Sequence, residues 1–161
     1  MLHLSPTSTV IVIGPPGSGK THVGTLLAEQ SGLPLYSTDE FLGNGHVEAL
    51  YAVIKAVGDE GFILEGMLGY RWLRKQKQLS MAPPDFVIEL EATEDEMREA
   101  YRKRDKPCNL RRLKAFCAAH EKILDDYMLL DGDLPRVWVH GKSPHVAQLI
   151  MGGGEGAEPS V

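Results

Sequence analysis

Eight consecutive residues near the start of the chain, Gly14-Pro15-Pro16-Gly17-Ser18-Gly19-Lys20-Thr21, have the types and spacing of an anion cradle. Gly14, Gly19, Lys20 and Thr21 fill every fixed position of the pattern G-x-x-x-x-G-K-[ST]. Glycines let the backbone curl so that successive N–H groups point inward. A helix opening near Gly19 adds the positive end of its dipole. Lys20 supplies a mobile charge for β- and γ-phosphates, and Thr21 offers a hydroxyl to Mg²⁺. The bare pattern arises by chance in roughly one chain in a few hundred of this size. Its surroundings narrow that further. Thr9 to Ile13 is a β-branched apolar run and Lys20 to Gln30 reads as a helix, so the loop joins strand to helix.

Three other spots carry chemistry-bearing residues at the ends of expected strands. Leu35 to Ser37 reads as a strand running into Thr38-Asp39-Glu40, with Glu40 facing solvent. Phe62 to Leu64 is an unbroken apolar run ending at Glu65-Gly66, the mark of a strand buried on both faces. Val137 to Val139 is a last strand, followed by the loop His140 to Ser143. Asp39 either caps the next helix or aligns an acceptor hydroxyl and takes its proton. Glu65 either orients metal-bound water or is a buried, hydrogen-bonded acid.

The elements between these spots alternate. Helices are expected over Val47 to Val57, Tyr70 to Leu79, Glu94 to about Arg104, and Pro144 to Met151. Thr93 and Glu96 form a capping box for the third of these. A break at Asp105 to Asn109, containing Pro107, precedes a stripe from Leu113 to Met128 that includes His120 and reads as core. Phe86 to Leu90 is a further strand. The fold class is therefore α/β: a five-stranded parallel sheet with helices on both faces, its ligands at the carboxyl ends of the strands. Trp72 and Trp138 read as packing residues first and base-stacking residues second.

At 161 residues, 43% apolar and 24% charged, the chain suits one soluble domain. We expect it to span residues 1–151, with 152–161 a disordered tail. The net charge of −5 argues against a protein that coats nucleic acid non-specifically, though not against a local basic groove. Two cysteines, Cys108 and Cys117, fit neither a disulfide scaffold nor a zinc site, which points to a reducing, cytoplasmic setting. No secretory leader or membrane span is expected. His22, His46 and His145 lack ligand spacing, so Mg²⁺ carried with nucleotide is the only metal expected.

With these residues in view the chain resembles the small P-loop kinases, the group that holds monophosphate, shikimate, gluconate and polynucleotide kinases. The likeness runs over roughly residues 9–150. It implies a three-layer P-loop fold with a short lid at about 102–112, and ATP with Mg²⁺ as cofactors. Phe62 to Gly66 resembles the third strand of these kinases, with Glu65 where many members carry Asp and Gly66 approaching the acceptor. Tyr36 to Glu40 is similar to the segment in which hydroxyl kinases use an Asp, here Asp39. Met67-Leu68-Gly69-Tyr70-Arg71 stands where monophosphate kinases often have Phe-Pro-Arg. Arg98, Arg102, Arg104, Arg111 and Arg112 resemble an arginine-bearing lid, and His140 to Pro144 stands where such kinases contact adenine.

The resemblance gives Lys20, Asp39, Arg102 and Arg104 catalytic roles. Nucleotide binding falls to Gly14 through His22, with Arg102, Gly141 and Lys142. The metal is assigned to Thr21 and Glu65, and the acceptor to Asp39, Gly66, Arg71, Arg74 and Arg111. The implied reaction moves the γ-phosphoryl group of ATP to a hydroxyl, on a nucleotide or nucleic acid. DNA bearing 5-hydroxymethyluracil, the substrate of some bacteriophage members of this group, is one such acceptor. A monophosphate or small-metabolite acceptor is the alternative, and a nucleotide-binding switch or assembly ATPase is the alternative outside the kinases. Monomer and homodimer are both open.

Overall fold

The computed structural model describes residues 2–38, 48, 52, 60–66, 69, 72–74, 83–128 and 135–151. Five strands form one sheet: β1 (Thr9–Ile13), β2 (Leu35–Ser37), β3 (Phe62–Glu65), β4 (Phe86–Leu90) and β5 (Val137–Gly141). Their order is β2-β3-β1-β4-β5 and all pairs are parallel. Among the described residues the helices are α1 (Lys20–Ser31), α2 (Glu94–Lys103), α3 (Leu110–Met128) and α4 (Ser143–Ile150). The expected helix at 47–57 lies almost wholly outside the described residues. Of the one expected at 70–79, residues 72–74 are described and are helical.

The unbroken apolar strands are buried on both sides, as expected for parallel strands covered by helices. Val10, Val12, Ile63, Ile88 and Leu90 pack with Val23 and Leu27 of α1 and Val146 and Ile150 of α4. On the opposite face Gly69 lies against Ile11 and Ile13, and Trp72 meets Phe62 edge-on with ring centroids 5.7 Å apart. Trp72 is thus a packing residue. Trp138 packs only in part: on the edge strand β5 it stacks on His140 at 6.3 Å and is 47% exposed, so the packing first expected of it is incomplete.

Helix ends follow local chemistry. Glu96 N–H donates to Thr93 Oγ1 at 3.1 Å and Thr93 N–H to Glu96 Oε1 at 2.7 Å, the expected capping box. The α2 C-terminus closes with Asp105 N–H on Arg102 O and Lys106 N–H on Tyr101 O. Asp105 takes the left-handed conformation (φ 54°) that glycine usually fills there. α3 then begins at Leu110, three residues before the apolar stripe suggested. Asn109 Oδ1 accepts the N–H of Arg112 at 3.1 Å, so an asparagine cap sets the start.

β4 carries one buried acid, Glu89, in register with His140 of β5. Burial pushes its carboxyl above the ordinary glutamate range; His140 opposes this, Glu121 and Asp125 of α3 add to it, and a hydrogen bond from Trp138 opposes it. Folding therefore favours the protonated form. The stability this contributes is present below the ordinary glutamate range and lost as pH rises through the raised value. Glu89→Gln keeps the shape and abolishes the titration. The melting temperature of the native protein, relative to that variant, should fall as pH rises through this window; parallel curves would refute it.

Candidate phosphate-binding site

The loop between β1 and α1 turns where its glycines permit. Ser18 N–H donates to Pro15 O at 3.2 Å, and Gly17 (φ 84°) and Gly19 (φ 89°) take left-handed conformations. Side chains rarely adopt those angles, and neither position has room for one. A Cβ on Gly17 would collide with the Glu96 carbonyl, and one on Gly19 would stand 2.7 Å from Ser143 Oγ. Gly19 is also the N-cap of α1, and its carbonyl accepts Val23 N–H at 3.0 Å. Ser18 lies buried within the loop.

Lys20 and Thr21 open α1 and point along different directions. Lys20 Nζ donates to Pro15 O at 3.1 Å, curling back over the loop. Thr21 Oγ1 donates to Glu65 Oε2 at 3.3 Å. Glu65 ends β3 with only 3% of its surface exposed, beside Val12 of β1 and Ser37 of β2. A hydroxyl and a carboxylate this close are hard oxygen donors of the kind Mg²⁺ takes with retained water. Among the described residues no group of three or more His, Cys, Asp or Glu is arranged to hold a metal alone.

A cleft of about 720 Å³ opens over these groups. That lies within the range of small-ligand sites, about 300–1,000 Å³. The loop contributes Pro16, Gly17, Gly19, Lys20, Thr21 and His22 to it, and β3 contributes Glu65. Its other wall is one face of α2: Asp95, Glu96, Glu99, Ala100, Lys103 and, just past the helix, Arg104. α3 also comes within electrostatic reach of Lys20. Burial pushes the Cys117 thiol up, Glu121 adds to that, and the Lys20 charge opposes it.

The other candidate residues are placed unevenly. Arg104 lines the cleft, whereas Arg102 pairs with Glu99, its Nε 2.9 Å from Oε1, and does not line it. Arg111 is exposed in the first turn of α3, and Arg74 is exposed beside the buried Trp72 and Leu73. Gly141 ends β5; Lys142 follows it and pairs with Glu96 at 2.9 Å. Gly66 follows β3 so closely packed against Thr38 that a Cβ would strike the Thr38 hydroxyl. Asp39 and Arg71 lie outside the described residues. Sequence reasoning missed the α2 wall, including Lys103. Its signal was present: 96, 99, 100 and 103 recur at one helix face.

Sheet order and loop together give a five-stranded parallel α/β fold with a phosphate-loop sequence between β1 and α1. No protein-family model matches the chain. Over 53 residues it is 40% identical to a shikimate kinase from Symbiobacterium thermophilum, covering 33% of this chain and 30% of that one. Over 58 residues it is 38% identical to a shikimate kinase from Chlamydia pneumoniae, covering 34% and 33%. The chain thus spans about a third of the length of the curated relatives it matches. Its fold resembles that of a deoxyadenosine kinase from M. mycoides with bound dCTP (TM-score 0.61, 13% identity, 90% of this chain and 97% of that one). It also resembles a shikimate kinase from Acinetobacter baumannii in complex with shikimate (0.55, 15%, 92% and 95%). A gluconokinase from Sinorhizobium meliloti is similar again (0.55, 15%, 93% and 93%). The likeness to small P-loop kinases therefore holds in local sequence and in whole-chain fold. Among the described residues no helix is long and apolar enough to cross a membrane.

Proposed function

We propose that the chain is an ATP-dependent phosphotransferase that moves the γ-phosphoryl group to an acceptor hydroxyl. The observation that carries this reading is the Thr21 hydroxyl 3.3 Å from the Glu65 carboxylate, beside Lys20 and beneath a wall bearing Lys103 and Arg104. Phosphoryl transfer asks for positioning and charge neutralisation more than for covalent help. In this reading loop N–H groups other than that of Ser18, which bonds Pro15 O, act with Lys20 to hold the β- and γ-phosphates. Thr21 and Glu65 would hold Mg²⁺, which when bound would supply neutralisation of phosphate charge. Lys103 and Arg104 face the same space from the opposite wall and stabilise charge on the transferred group. The acceptor oxygen forms its bond to the γ-phosphorus as the bond to the leaving ADP breaks, and Asp39 receives the acceptor's proton.

For the acceptor we favour a hydroxyl on a nucleoside, nucleotide or nucleic acid. Support comes from the Ser37-Thr38-Asp39 segment and from the exposed cation of Arg74. A panel with γ-labelled ATP tests both levels. Its arms are deoxynucleosides, nucleoside monophosphates, shikimate, gluconate, plain DNA and DNA carrying 5-hydroxymethyluracil. The expected result is label on a hydroxyl of one nucleoside-type acceptor. Label on a monophosphate or a metabolite would move the acceptor class. ADP formation indifferent to every acceptor would replace the kinase reading with a nucleotide-driven switch.

A further inference from the structure

Two helices press their N-terminal turns onto the phosphate loop at different glycines. The Glu96 carbonyl of α2 sits on Gly17, and Ser143 of α4 sits on Gly19. One carboxylate oxygen joins the two helices. Glu96 Oε1 accepts the Thr93 N–H at 2.7 Å, closing the α2 cap, and also the Lys142 ammonium at 2.9 Å, where Lys142 is the N-cap of α4. The Thr93 bond first, and Lys142 second, hold the Glu96 carboxyl below its ordinary range, so it is charged at neutral pH.

Among the described residues, Met97 is the buried side chain of α2, and a second ion pair, Glu94 with Lys114 at 2.7 Å, ties it to α3. The seating of α2 decides two things. It sets whether the Glu96 carbonyl presses on Gly17, and where Lys103 and Arg104 stand across the cleft.

We propose that Glu96 and Lys142 are positioning residues for nucleotide, their ion pair seating α2 on the loop so that Gly17 and Gly19 keep their left-handed turns. This rests on the reading of the loop as a nucleotide site. The pair is half exposed, at 48% and 42% of the two side chains, so its direct strength is modest. It acts by preorganisation: a loop already shaped for phosphate loses less freedom on binding.

The test measures Mg·ADP binding by calorimetry for native protein, Glu96→Gln, Lys142→Gln and the double variant. Melting temperature and amide hydrogen exchange of residues 17–19 are followed without nucleotide. Glutamine still serves at the third position of a capping box, so α2 keeps its cap. Each single variant should weaken Mg·ADP about two- to fivefold. The double variant should be no weaker than either single, because all three remove one interaction. Melting temperature should hardly move, while the amides of 17–19 exchange faster in every variant. Unchanged affinity in both singles overturns the proposal. Multiplying losses in the double variant also overturn it, since Lys142 would then touch nucleotide on its own account. Native protein that fails to bind Mg·ADP overturns the nucleotide reading itself.

Discussion

Lys20→Ala should abolish measurable phosphoryl transfer while the nucleotide-free protein melts where it did before. Lys20 is only partly buried, and its ammonium, which donates to the loop carbonyl Pro15 O, stands at the cleft and not in the apolar core. Its place at the start of α1 aims it at the space over Gly17 and Gly19. A fixed positive group opposite developing phosphate charge is worth at least about 10²- to 10³-fold in turnover, judged from comparable preorganised donors. Binding of Mg·ADP should weaken less, because the loop N–H groups and Thr21 remain. Radiolabel transfer and a thermal melt decide it. Retained turnover with a large drop in melting temperature would mean that Lys20 braces the loop and does no chemistry.

Asp39→Asn should lower turnover by about 10²- to 10⁴-fold, the usual range of general-base help, with ATP affinity near native. Thr38 directly follows β2, whose last residue, Ser37, pairs with Glu65 at the end of β3, and Asp39 is the next residue in sequence. That is the side of the sheet on which the phosphate loop opens, where a carboxylate can align a hydroxyl and receive its proton. Asparagine keeps the size and much of the hydrogen bonding but not the charge. It also caps a helix as well as aspartate does. Turnover above about half of native would therefore assign Asp39 to capping and bring a monophosphate acceptor to the front.

The parts legible in the sequence were those fixed by local chemistry. The β-branched runs at 9–13 and 86–90 became strands with the expected bounds, and Thr93 with Glu96 became the expected cap. Gly32 closed α1 in a left-handed turn, as a glycine after the last apolar residue suggests. Pairing across the sheet was less legible. That Glu65 would meet Thr21 depends on β3 lying beside β1, a contact over 44 residues of sequence. The choice among arginines depended on helix phase. Arg102 and Arg104 are two apart and point differently, so one pairs with Glu99 and the other enters the cleft. The asparagine start of α3 was overlooked because an apolar stripe shows where a helix packs and not where its backbone begins. That Trp138 would be left half exposed was not legible, because a strand's own residues do not show how fully a helix covers each face.

The position of β1 bears on how the chain comes off the ribosome. β1 is made before either of its partners, yet it lies between them in the sheet, paired with Phe62–Glu65 on one side and Phe86–Leu90 on the other. At about 5–20 residues per second, several seconds pass before both partners have been translated. Through that interval Val10 to Ile13, four apolar residues fully buried in the finished protein, lack at least one of their two partner strands. Such an uncharged, proline-free segment is prone to stray β-pairing with other nascent chains. Slow translation between β1 and β4, or release of a product truncated there, should therefore send the chain into aggregates. The loop that follows β1 is synthesised before the helices that press on its glycines, and takes its shape only with them.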